Sequence, residues 1–78
     1  MMKKNAQQTK ISTILKTKRR ECGLTQVELA DLSGVTQSMI SRVEQGEIEN
    51  ISINILRKLS VPLQCAPIDL LPESDKVF

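Results

Sequence analysis

Within residues 37–45, QSMISRVEQ, the side chains of Gln37, Ser38, Ser41 and Gln45 fall at offsets 0, 1, 4 and 8. At 3.6 residues per turn they share one helix face, with Arg42 on its flank. Such a face is a row of short hydrogen-bonding groups: amides that donate and accept, hydroxyls that do either, and one fixed cation. It suits recognition of a surface dense in donors and acceptors rather than bond making. The rest of the chain agrees. It holds no histidine, which removes the commonest general base and the commonest metal ligand. Cys22 and Cys65 have no histidine partners and so make neither a zinc site nor a Cys–His nucleophile. No local motif supports a Ser–Lys pair. No enzymatic activity, metal site or cofactor is expected.

The elements that must position this face can be read from apolar spacing and end signals. Ile11, Ile14, Leu15 and Cys22 share one side of a first helix, and Gly23 stands where a glycine ends helices. Thr25 and Glu28 have capping-box spacing, so a second helix should start at Gln26. Leu29, Ala30 and Ser33 form its inner side, and Gly34 stops it. Thr36 caps a third helix of roughly three turns that ends before Gly46. Val35, Ile40 and Val43 face inward from it, with Met39 at the margin. Glu47 to Ile51 reads as a loop, after which Ser52 caps a fourth helix carrying Ile53, Leu56 and Leu59. Pro62 either kinks that helix or ends it near Leu59. Ala66 to Leu71 reads as a short fifth helix with Pro67 in its first turn. The alternative is an extended segment, with Leu63, Cys65 and Ile68 pairing with a partner chain.

The 78 residues allow one domain. Phe78 is the only aromatic residue, so the core must be aliphatic. This favours helix-on-helix packing, or support from a second subunit. Residues 1–9 are expected to be a flexible basic arm, 10–72 the folded domain and 73–78 a loose tail. No apolar run approaches the roughly 18 residues of a membrane span, and no signal-peptide core follows Met1. A cytoplasmic protein with free thiols, rather than a Cys22–Cys65 disulfide, is the expectation. Charge is divided unevenly. Residues 1–22 carry seven Lys and Arg against one Glu, whereas residues 23–78 carry four against eight acids. A basic leader fits a polyanionic partner or a merely solvated surface.

The stretch Gln26 to Gln45 resembles the helix-turn-helix of the lambda-repressor-like (XRE, Cro/cI-type) family of DNA-binding proteins. The resemblance rests on Ala30 within the first helix of the motif, Gly34 in the turn, and Val35, Ile40 and Val43 as inward positions. The phrases "GLTQVELADLSGV" and "SRVEQG" add to it. It extends over Ile11 to Leu71, most closely from Arg19 to Gly46. It implies an all-α, compact four- to five-helix domain that places the third helix in the major groove of double-stranded DNA.

By this resemblance Gln37, Ser38 and Ser41 contact base edges, Thr36 at the same helix start joins the DNA-binding residues, and Gln26 contacts a phosphate while bracing Gln37. Arg42 has two readings, a phosphate contact or a solvating charge. Met39 likewise has two, a thymine-methyl contact or core packing. Lys3, Lys4 and Lys10 would follow the DNA backbone or stay uninvolved. Arg19 and Glu44 match a pair that forms an internal salt bridge in the family. Leu63, Ile68, Leu70 and Leu71 are the expected dimer surface.

The implied function is a sequence-specific transcriptional regulator, a repressor of its own gene, working as a homodimer. The alternative is an antitoxin that also grips a protein toxin through its C-terminal segment. The chain departs from the family pattern after Gly46. It lacks the proline often found at the start of the fourth helix, has a longer loop, and carries Pro62.

Overall fold

The computed structural model describes residues 10–48 and 50–72. Four α-helices and one 3₁₀ helix make up the regular structure of these residues: α1 (Ile11–Glu21), α2 (Gln26–Ser33), α3 (Gln37–Glu44), α4 (Ile53–Ser60) and a 3₁₀ turn at Pro67–Leu70. The expected basic arm and C-terminal tail lie outside the described residues.

The helix ends follow the local chemistry. Lys18, Arg19 and Arg20 fill the last turn of α1, where cations complement the helix dipole. Gly23 takes φ 71°, and the N–H groups of Gly23 and Leu24 return to the carbonyls of Arg20 and Arg19. That pattern closes α1 with a glycine in the left-handed region. At α2 the capping box is complete: the Glu28 N–H donates to Thr25 Oγ1 at 3.0 Å, and the Thr25 N–H to Glu28 Oε1 at 2.8 Å. Thr36 and Ser52 accept from the N–H groups of Met39 and Ile55 at the starts of α3 and α4. Gly34, at φ 79°, makes the α2–α3 reversal. A side chain there would meet open space, so the positive φ alone is what favours glycine.

α2, α3 and α4 have eight residues each, too few to persist alone in water. Packing holds them. α1 and α2 both lie against α3, α2 touches α4, and the 3₁₀ turn closes on α4 and α1. Leu15, Leu29, Ile40, Val43, Leu59 and Leu70 are fully buried between them. Burying each such side chain contributes about 1.5–3 kcal/mol relative to leaving it exposed.

Several expectations need correction. α3 spans two turns rather than three. Cys22 is exposed instead of inward, and its thiol points to the Leu63 carbonyl oxygen at 3.6 Å. Both cysteines are free thiols, and partial burial pushes the Cys65 thiol up from its ordinary value. α4 does carry Ile53, Leu56 and Leu59 behind a Ser52 cap, with Leu56 and Leu59 turned inward and Ile53 exposed at the first position. The fifth helix is a single 3₁₀ turn, in which Asp69 Oδ2 accepts from the Ala66 N–H.

Leu63 and Leu70, expected on a dimer surface, belong to the core instead, at 4% and 1% exposure. The cause is Pro62. It ends the α4 hydrogen-bond ladder after Ser60, since it has no N–H to donate. Val61 keeps helical dihedrals, however, so the chain continues through a turn that swings Leu63 inward. Ile68 remains 40% exposed and Leu71 half-buried.

That turn ends on Gln64, at φ 57°, the one non-glycine residue with positive φ among those described. The N–H groups of Gln64 and Cys65 return to Val61 and Ser60, a closure in which glycine is usual. Gln64→Gly should therefore stabilise the fold by about 0.5–1 kcal/mol, readable as a rise in Tm on thermal unfolding. A lower Tm would mean that the Gln64 side chain holds contacts worth more than its backbone costs.

Candidate nucleic-acid interface

α3 presents two unlike faces because its apolar residues recur at helical spacing. Ile40 and Val43 are wholly buried, with Val35 just ahead of the helix and Met39 at the boundary. On the other side Gln37, Ser38, Arg42 and Gln45 are exposed, and Ser41 is half-buried. Thr36 is exposed too, and one lone pair of its hydroxyl oxygen is taken by the Met39 N–H. The structure therefore gathers the residues read from the sequence onto one accessible surface. Gln37 and Thr36 also edge an open groove lined by Val27, Ala30, Asp31 and Val35. Val27 was not singled out in the sequence. It is 49% exposed, an apolar residue where polar ones would be unremarkable.

The last residue of α3 is anchored by charge. Arg19 Nε donates to Glu44 Oε2 at 2.6 Å, and Arg19 Nη2 to Glu44 Oε1 at 2.9 Å. Arg19 Nη1 donates to the Leu24 carbonyl at 2.7 Å. This fork joins the end of α1, the α1–α2 turn and the end of α3. The side chains are 10% and 2% exposed, so the pair is nearly dry. Burial alone would lift the Glu44 carboxyl. Hydrogen bonds from Arg19 and Gln26, with the attraction of Arg19 and Lys16, instead hold it below its usual value. The hydrogen bond to Glu44 likewise keeps Arg19 protonated against the cost of burial.

Gln26 has a partner other than the expected Gln37. Its Nε2 donates to Glu44 Oε1 at 3.0 Å rather than bracing Gln37. It thus supports α3 from the buried end instead of the exposed face. Periodicity gave no sign of this contact, because Gln26 and Glu44 lie on different helices. A second bond was also missed: Gln45 Nε2 donates to Ser41 Oγ at 3.1 Å along the outer face. The i, i+4 spacing carried that signal in plain view.

Among the described residues no group of three or more His, Cys, Asp and Glu is placed to hold a metal. None of the helices among these residues is long and apolar enough to cross a membrane.

The family model described as helix-turn-helix (HTH_3) matches residues 15–70. An uncharacterized HTH-type transcriptional regulator of Haemophilus influenzae is 45% identical over 47 residues, covering 60% of this chain and 47% of the relative. The chain thus spans about half the length of that curated relative. Among solved structures, a SinR protein/SinI protein complex superposes with a TM-score of 0.77 at 34% identity, covering 87% of this chain and 66% of the other. The P22 c2 repressor, in complex with a synthetic operator, gives a TM-score of 0.72 at 30% identity, covering 81% of this chain and 94% of the other.

Proposed function

Because this chain belongs to the lambda-repressor-like (XRE) helix-turn-helix family, we propose that it is a DNA-binding transcriptional regulator that reads operator sequence with α3. The observation that carries this reading is the α3 outer face, an exposed row of amides and hydroxyls. Its helix is fixed from behind by Ile40, Val43 and the Arg19–Glu44 fork. The major groove admits one helix and offers base edges that glutamine and serine side chains match. In this reading Gln37 and Ser38 reach base edges first, Ser41 next, and Thr36 lies beside them. Arg42 and Gln26 engage phosphates, with the second amide proton of Gln26 free for that purpose. The similarity to an operator-bound repressor supports the same assignment.

The protein works as a homodimer on two half-sites and represses its own gene. One eight-residue helix reads too few base pairs to single out an operator, and two-fold pairing over adjacent half-sites remedies this. The exposed apolar residues Val61 and Ile68, with half-buried Leu71, are the surface left for the dimer contact once Leu63 and Leu70 are assigned to the core. A hydroxyl-radical footprint on DNA upstream of the gene should show two protected patches on one face, about 34 Å apart. A single unpaired patch would refute the dimer. The antitoxin alternative gains nothing specific from the fold: within residues 63–78, which it would use, Leu63 and Leu70 are core and residues 73–78 lie outside the described residues.

Gln37→Ala should relax base preference at one operator position by ~1–3 kcal/mol while leaving the fold intact, since the residue is exposed. The check is a comparison of Kd across all four bases at each position. An unchanged preference everywhere would remove Gln37 from the reading set.

A further inference from the structure

Gln45 closes α3 at its C-terminal end, and its side chain lies along the outer face to bond Ser41. A hydroxyl has one proton to give and two lone pairs to offer. Serines within helices often give that proton to the carbonyl four residues back, which would be that of Gln37. Among the described residues the Ser41 hydroxyl is bonded to Gln45 and to no backbone carbonyl. The Gln45 amide takes one lone pair, which turns the proton away from Gln45 and leaves it for a partner outside the helix.

We propose that Gln45 is a positioning residue for sequence recognition, fixing Ser41 as a hydrogen-bond donor to an acceptor atom on a base edge. The inference rests on the reading of α3 as the DNA-contacting helix. The acceptors available in the major groove are purine N7, guanine O6 and thymine O4. Ser41 therefore selects a base by its acceptor, and Gln45 sets the direction of the bond without touching the base. This explains why two residues four apart on an exposed face are paired with each other: a free serine would accept or donate indifferently.

The test uses the full chain. Preferred duplexes are selected from a random pool by the wild type. Kd is then measured for all four bases at each position with the wild type, Ser41→Ala, Gln45→Ala, the double variant and Gln45→Glu. Ser41→Ala and Gln45→Ala should each lose about tenfold in discrimination at the same position, and the double variant no more than either alone. In Gln45→Glu the carboxylate takes the Ser41 proton, leaving the hydroxyl oxygen as an outward acceptor. Preference at that position should then move to a base that presents an amino group, adenine or cytosine. A purely structural role would give no such exchange. Both residues lie outside the core, so thermal melts of the variants should match the wild type. Losses at different positions, additive losses, or an unchanged Gln45→Ala profile would overturn this inference while leaving a specific regulator standing. A wild type that selects no sequence would overturn the regulator reading and this inference together.

Discussion

Arg19→Met should lower the unfolding free energy by ~3–5 kcal/mol, because it leaves the Glu44 carboxylate buried without its cation. The Glu44 side chain is 2% exposed, and the hydrogen bond from Gln26 that would survive neutralises no charge. For a domain whose whole stability is of order 5–15 kcal/mol or less, that loss should leave a substantial unfolded fraction at physiological temperature. Urea titration followed by circular dichroism measures it. The double variant Arg19→Met/Glu44→Leu should regain most of the loss, since removing both charges also removes the desolvation cost. A single variant within about 1 kcal/mol of wild type would mean that water reaches the pair and screens it.

The same pair gives the fold an acid limit. The Glu44 carboxyl is held below its ordinary value of 4.5 in the folded state. Its contribution to stability is therefore complete above about pH 4.5 and is lost as pH falls through the lowered folded-state value. In the double variant that part of the acid sensitivity should disappear.

Ile40→Ala should cost ~2–5 kcal/mol, through the methylenes withdrawn from the core and the cavity left behind. Ile40 has no exposed surface and sits on the inner face of α3, between Met39 at the core boundary and Ser41 on the outer side. Ile40→Val should cost only about 0.5–1.5 kcal/mol. DNA binding should follow stability in this pair, because α3 owes its position to packing rather than to its own helix propensity. If Ile40→Ala stayed folded at 25 °C and bound DNA as tightly as the wild type, the account of how α3 is held would be wrong.

The helix starts were legible because each is a local event. Thr25, Thr36 and Ser52 cap their own helices through bonds to residues three positions on. The inward set Val35, Ile40 and Val43 was legible through the 3.6-residue period. The C-terminal segment was not. Two consequences of Pro62 competed, a kink or an end, and the choice depends on whether Leu63 has a core to enter. That core is built from residues of all four α-helices, and no local pattern encodes it. The outer face of α3 was readable as a list of residues but not as a set of bonds. The partner of Gln26 lies eighteen residues away on another helix, and only the fold brings the two together.

In the proposed function α3 reads a specific DNA sequence. Fluorescence anisotropy of the full chain on DNA from upstream of its own gene, against a scrambled duplex, over a salt series tests this most directly. Binding to the upstream DNA should be tighter by ~10³-fold or more, with a salt slope set by the number of phosphates engaged. Equal, weak and steeply salt-dependent binding to both duplexes would contradict it, leaving only the attraction of a basic leader for any polyanion.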